Sequence, residues 1–174
     1  MTREKHLVIT AFHEIGHYLL VKRFNKLFPN HFIYVCKIEL YFEDDNPHYG
    51  DVTFAKEKLK ISDASNEMLK GFINIDLAGF VAPTLFYNIV YNKNNIKLQN
   101  DYCTAYEVAN ILRERYLLKR IDKTAEDILK EQWFEVKKYL NNNKYLLYAL
   151  ALRLYNSKVL YMSDLETIEE KFSL

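Results

Sequence analysis

The sequence is short of residues that reverse a chain. Four glycines and three prolines in 174 residues are about a third of the usual share. That excludes an all-β sandwich or barrel and predicts long helices with few hairpins. Cysteine is scarce as well. Cys36 and Cys103 can build neither a disulfide framework nor a four-cysteine metal site, and each is expected as a small buried apolar side chain. Neither sign of charge is in excess: 24 Lys and Arg against 23 Asp and Glu give a net charge of +1. The broad basic footprint of a nucleic-acid binder is therefore missing. Lys56, Lys58 and Lys60 form only a short basic run, expected to be a solvated face. The longest apolar stretches are 77–91, broken by Pro83 and Asn88, and 145–152. Both fall short of the ~20 residues that cross a bilayer. The opening residues Met1 to His6 lack the apolar core of a secretory signal, so the expected location is cytoplasmic.

What is present suffices for one folded unit. A hydrophobic share of 49% supplies enough apolar surface to offset chain entropy, and a single domain over residues 1–174 is expected. Val8, Ala11, Phe12, Ile15, Leu19 and Leu20 recur at helical spacing and predict a helix from Thr2 to about Phe28, stopped by Pro29-Asn30. Phe32, Tyr34, Cys36, Ile38, Leu40 and Phe42 then alternate with their neighbours as a strand does. Asp44 to Pro47 reads as a loop and Gly50 to Phe54 as a partner strand. A second helix is predicted over about 64–90, kinked or divided by Pro83. A polar loop over 92–100 leads to a third helix beginning near Asn100 or Asp101. Thr124 to Asp127 has the pattern of a capping box before a helix to about Leu140. Tyr145 to Tyr155 is helical again, and Ser163 to Glu166 repeats the box before a short last helix. The expected architecture is mainly α, with one small β-sheet or hairpin next to the first helix.

The first helix carries His13-Glu14-Ile15-Gly16-His17. Residues four apart on a helix share a face, one turn apart, so both imidazoles can reach one metal ion at about 2.0–2.1 Å. Glu14, beside His13, can lean over an open coordination position. There it can take a proton from water and later return it to a leaving amine. Random placement in a chain of this His and Glu content yields the pattern about once in a hundred. Residues 10–12 and 15–20 are uncharged, as a buried helix requires. Glycine in mid-helix costs about 1 kcal/mol against alanine, so Gly16 needs a reason; close approach of a strand or a substrate backbone is the one expected.

Catalytic zinc takes three protein ligands and a water, and no third histidine follows nearby. His6 lies seven residues before His13 on the same face, too far along the axis. His31 and His48 stay open. Among carboxylates Asp101 is the strongest candidate, although a first-turn aspartate also serves simply by complementing the helix dipole.

At this point the residues resemble a known family, the FtsH-type zinc metallopeptidase domain. His13-Glu-Ile-Gly-His17 is similar to that family's His-Glu-Ala-Gly-His helix. Val35 to Leu40 with Tyr49 to Thr53 resembles its strand pair. Ile75-Asp-Leu-Ala-Gly-Phe-Val-Ala82 resembles its Leu-Ala-Gly-Arg-Ala-Ala helix. Asn100-Asp101 followed by Thr104-Ala105 and Val108-Ala109 is similar to the segment that supplies the family's third zinc ligand. Residues 144–154 and 160–168 are similar to its closing helices. The resemblance spans about residues 5–172. It implies zinc held by His13, His17 and Asp101, with Glu14 as general base and acid. It implies hydrolysis of unfolded or extended polypeptides, added as a strand along a sheet edge. By analogy alone it also implies a homo-oligomeric, hexameric ring.

The chain departs from the family in three places. Its only glycines are Gly16, Gly50, Gly71 and Gly79, so it has no phosphate-binding loop of the Gly-x-x-x-x-Gly-Lys type. It would have to take unfolded chains or exposed tails, or depend on a separate ATPase partner. The family's Arg-Ala-Ala-Glu-Glu becomes Phe80-Val-Ala-Pro-Thr84, which removes carboxylates able to support the ligand histidines; Asp76 is a candidate substitute. Tyr41-Phe42-Glu43 stands where Pro-Arg-Gly is usual. Two other readings follow: a catalytically silent zinc module of the same fold, and a regulator-cleaving peptidase of another His-Glu-x-x-His family with its third ligand elsewhere.

Overall fold

Arg3–Leu27 forms a 25-residue helix, α1, around which the other elements are arranged. A computed structural model describes residues 3–41, 50–56, 61–89 and 100–172. After α1 come strands β1 (Ile33–Leu40) and β2 (Gly50–Lys56), then helices α2 (Asn66–Thr84), α3 (Asn100–Leu118), α4 (Ala125–Asn142) and α5 (Lys144–Ser157). A short strand β3 (Val159–Tyr161) and helix α6 (Met162–Glu170) close the chain. The protein is mainly helical, with one small antiparallel sheet in the order β2-β1-β3. Among the described residues no helix is long and apolar enough to cross a membrane.

From Ala11 to Val21 every residue of α1 except His13 is buried. A helix buried on all sides is a core helix, and α1 touches α2, α4, α5, β1 and β2. Its polar residues are therefore either anchors or parts of a site. Asn25 is an anchor: its side chain donates to Ile33 O and accepts from Ile33 N, both at 2.8 Å, fixing where β1 leaves the helix. Tyr18 and Lys22 are anchors too. The buried Tyr18 hydroxyl donates to Glu169 Oε1 at 2.8 Å and the Lys22 ammonium pairs with Glu169 Oε2, which docks α6 on the middle of α1.

Gly16 is explained by a helix, not by a strand or a substrate. A Cβ there would lie 2.6 Å from Ala78 O and 2.8 Å from Ala82 Cβ. The absent side chain lets α1 and α2 come into backbone contact. At the other end of the second helix pair, Arg115 of α3 donates to Ala64 O (2.6 Å), Ser62 O (3.0 Å) and Asn66 Oδ1 (3.3 Å). From that anchor α2 runs from 66 to 79 and α3 back from 115 to 101, each spanning about 20 Å at 1.5 Å per residue. Asp101 is thereby carried to the level of Gly79.

Several elements differ from the sequence reading. A bulge between Val35 and Lys37 reverses the facing of β1. Ile33 and Val35 are buried before it and Ile38 and Leu40 after it, while Phe32, Tyr34 and Cys36 are exposed. Cys36 and Cys103 are both exposed thiols rather than buried ones: one sits at the bulge, the other on the outer side of the first turn of α3. The second helix begins after its Ser65 cap, whose hydroxyl accepts from Met68 N at 3.2 Å. It runs through Pro83 and ends at Thr84, not near Val90, where the amides of Leu85 and Phe86 turn back three residues to Ala82 O and Pro83 O. The last helix starts before the expected box: Tyr161 N donates to Asp164 Oδ2 at 3.0 Å, placing the cap at 161. The Thr124–Asp127 box is present as read, and α4 runs two residues further than expected. The segments 44–47 and 92–99, and the side chains of the basic run 56–60, lie outside what is described.

Gly16→Ala is expected to destabilise the fold. Helix propensity alone would favour alanine by about 1 kcal/mol, but forcing a methyl into a backbone contact costs typically about 1–3 kcal/mol. Urea denaturation checks the sign; a more stable variant would show that the α1–α2 contact can open without cost.

Candidate metal centre

Two helices bring their side chains to one point. α1 presents His13 and His17 on one face, and their rings meet edge to face with centroids 4.6 Å apart. α3 brings Asp101 from 88 positions away in sequence. Asp101 Oδ2 lies 3.1 Å from His13 Nε2 and 3.4 Å from His17 Nε2, and the two Nε2 atoms are 3.0 Å apart. Ligands at about 2.0–2.1 Å from one ion, separated by the tetrahedral angle, stand about 3.3–3.4 Å from each other. The triangle is close to one face of such a tetrahedron, so these atoms can hold a metal ion. Glu14 belongs to the same cluster: ligand atoms of His13, Glu14 and His17 all lie within 4.8 Å of one another.

The third helix wall of the site, α2, contributes backbone. His17 Nδ1 lies 2.7 Å from Ile75 O. A carbonyl only accepts, so Nδ1 is the donor, and in the neutral ring Nε2 carries the lone pair. The family's carboxylates are absent from 80–84, and the Ile75 carbonyl supplies support of this kind to His17. Gly79 makes room: a Cβ there would lie 2.5 Å from His17 Nε2 and 2.6 Å from His13 Nε2. Phe80, fully buried, meets the His13 ring edge-on at 5.6 Å between centroids. His6 and His31 are exposed and stand apart from the cluster; His48 lies outside the described residues.

The charges around the site are coupled. Burial pulls the His17 pKa down, but the hydrogen bond it donates to Asp101 and the charges of Asp101 and Glu14 outweigh that and bring it up to about 9. Burial pushes Asp101 up, and the hydrogen bonds from His13 and His17 more than reverse it, holding the carboxyl well below the usual range. Glu14 is 7% exposed. Burial raises its pKa, and the neighbouring His13 and His17 lower it only in part. A buried carboxyl raised in this way is a better proton acceptor near neutral pH than an exposed one.

Sequence reasoning missed the Ile75 carbonyl and Gly79. A backbone acceptor leaves no mark in a sequence. Gly79 did carry one, the same mid-helix glycine cost that singled out Gly16. No family model and no curated protein matches this chain.

Without a metal, the histidine–aspartate cluster has to hold a proton. The His17 pKa lies above its unfolded value of 6.5, so its contribution to stability is complete below pH 6.5 and is lost as the pH rises through about 9. Asp101 is depressed below 3.8, so its contribution is present above that value and is lost on acidification through the lower folded pKa. Chelator-treated protein should therefore show a melting temperature that falls between pH 6.5 and 9, while metal-loaded protein, with the cation in place of the proton, should not. Parallel thermal denaturation of both forms checks this; identical slopes would show that the cluster does not titrate as a unit.

Proposed function

We propose that the protein is a zinc metallopeptidase of the FtsH type that hydrolyses peptide bonds in unfolded or extended polypeptides. The observation that carries the reading is the convergence of His13 Nε2, His17 Nε2 and Asp101 Oδ2 within 3.4 Å of one another, with a buried glutamate alongside. Three protein ligands with a position left for water is the catalytic arrangement of zinc, whereas structural sites are closed by four. His13, His17 and Asp101 would hold the ion. When bound, zinc would acidify water and polarise the scissile carbonyl.

The remaining steps belong to the chain. Glu14 takes the proton of the attacking water, stores it in a site that burial has already made favourable to the neutral acid, and returns it to the leaving amine. The Ile75 carbonyl keeps the His17 ring in the tautomer that directs Nε2 at the ion. This supports activity despite the altered Phe80–Thr84 segment. β2 is an outer strand of the sheet, and its first residue lies against Glu14. Among the described residues no strand pairs with the outer side of β2, and an extended polypeptide pairing there would pass the reacting centre. With no nucleotide-binding loop in the sequence, unfolding of a structured substrate would fall to a separate ATPase partner.

Casein hydrolysis and metal analysis test the proposal together. The wild type should bind one zinc and lose activity to chelator. Glu14→Gln should keep the metal and lose about 10²–10⁴-fold in rate. Asp101→Ala should lose the metal. Hydrolysis that survives both chelator and Glu14→Gln would overturn the reading. Stoichiometric zinc without turnover would assign a silent module instead, and zinc retained by Asp101→Ala would place the third ligand elsewhere.

A further inference from the structure

The start of β2 touches the proposed general base. A Cβ on Gly50 would lie 2.9 Å from both Cγ and Oε1 of Glu14 and 2.7 Å from Thr10 Cγ2. Cβ atoms are not found at such separations, so one partner would have to move. No glycine of the described chain has a positive φ; Gly50 adopts a backbone conformation open to any residue, and what it supplies is space. Its surroundings are held. The Thr10 hydroxyl donates to His6 O at 3.0 Å, and it is the Thr10 methyl that meets the strand. Glu14 is 7% exposed, so a displaced carboxylate stays inside, next to histidine nitrogens that already share a cluster with it.

We propose that Gly50 is a positioning residue. The bare backbone at the head of β2 sets the stand-off of the Glu14 carboxylate from the metal position, holding it as a proton acceptor rather than letting it become a further ligand. The inference rests on the metal-site reading above and concerns how that site stays open. It also accounts for a second glycine at the site that no turn requires.

Cobalt(II) in place of zinc gives a visible spectrum that reports coordination number and geometry. The test compares Gly50→Ala with the parent, with and without Glu14→Ala. All four chains carry Thr10→Ser, which removes the competing methyl and keeps the hydroxyl. Gly50→Ala should retain one cobalt per chain and shift the absorption bands, and the shift should vanish when Glu14→Ala is present. In the zinc form Gly50→Ala should lower kcat on casein by about a hundredfold, the order expected for a misplaced catalytic group, with KM little changed. Unchanged spectra, or an equal shift with and without Glu14→Ala, would overturn the proposal. If Gly50→Ala folds only together with Glu14→Ala, the contact is the one proposed; if neither folds, the clash lies elsewhere and the proposal falls. Cobalt binding with the expected shifts but no hydrolysis by the wild type would sink the peptidase reading and leave the role of Gly50 standing. A wild type that binds no cobalt would overturn both.

Discussion

The close approach of other backbones to α1 is the constraint on which the rest depends. All four glycines of the chain are used for it. Gly16 lets α1 meet Ala78 and Ala82 of α2, Gly71 leaves room for the Phe24 ring, Gly79 for the two imidazoles, and Gly50 for Glu14. None serves a left-handed turn. Glycine inside a helix or strand lowers stability by roughly 0.5–1 kcal/mol relative to alanine, so a chain with so few glycines that places them all at one helix is trading propensity for proximity. Proximity turns a His-Glu-x-x-His helix into a walled site: α2 behind the imidazoles, α3 delivering Asp101, and β2 along Glu14.

Proximity also creates an electrostatic demand. Two ring nitrogens and a carboxylate oxygen within 3.4 Å of one another are three electron-rich atoms facing one small volume. Left without a cation they would repel, and burial would strengthen the repulsion by removing solvent screening. A proton shared through His17 meets the demand in part. A metal ion meets it in full, because it satisfies all three atoms at once and leaves Nδ1 of His17 free to donate to Ile75. The opposite pKa displacements of His17 and Asp101 express a single requirement for positive charge at that point.

Much of this was legible in the sequence, and the reasons for the misses are physical. Long elements with a strong period, α1 to α4, could be placed because apolar spacing accumulates over many turns. The boundary at Thr84 could not, since the apolar run continues past the residue that ends the helix. β3 has three residues, too few for a period to show, and it exists because β1 offers it a free edge. The alternation in β1 misled because a bulge at Cys36 exchanges the two faces within one strand. At the site, the histidines and Glu14 announced themselves by spacing. Asp101 is marked less clearly: it is the strongest candidate among the carboxylates, but a first-turn aspartate is commonplace, and what it meets follows from the packing of α2 against α3. The Ile75 carbonyl belongs to a class of ligand support that no side-chain pattern encodes.

A pair of histidines on a buried helix can also be ordinary core residues, and the arrangement around this pair weighs against that. Core histidines are tolerated when each nitrogen finds a partner and the ring fills space. Here a glycine lets both rings sit against the α2 backbone with their Nε2 atoms side by side, and the nitrogens converge on each other and on an acid. Glu14 sharpens the contrast. A core built for stability gains nothing from a second carboxyl, 7% exposed, set beside the first with its pKa raised by burial; removing its charge would be the cheaper solution. Its presence is understandable if a proton must be taken up and given back at this place. A tight constellation of metal-ligating atoms facing an acid of raised pKa is a poor device for holding helices together, and that is why hydrolysis is the function proposed for it.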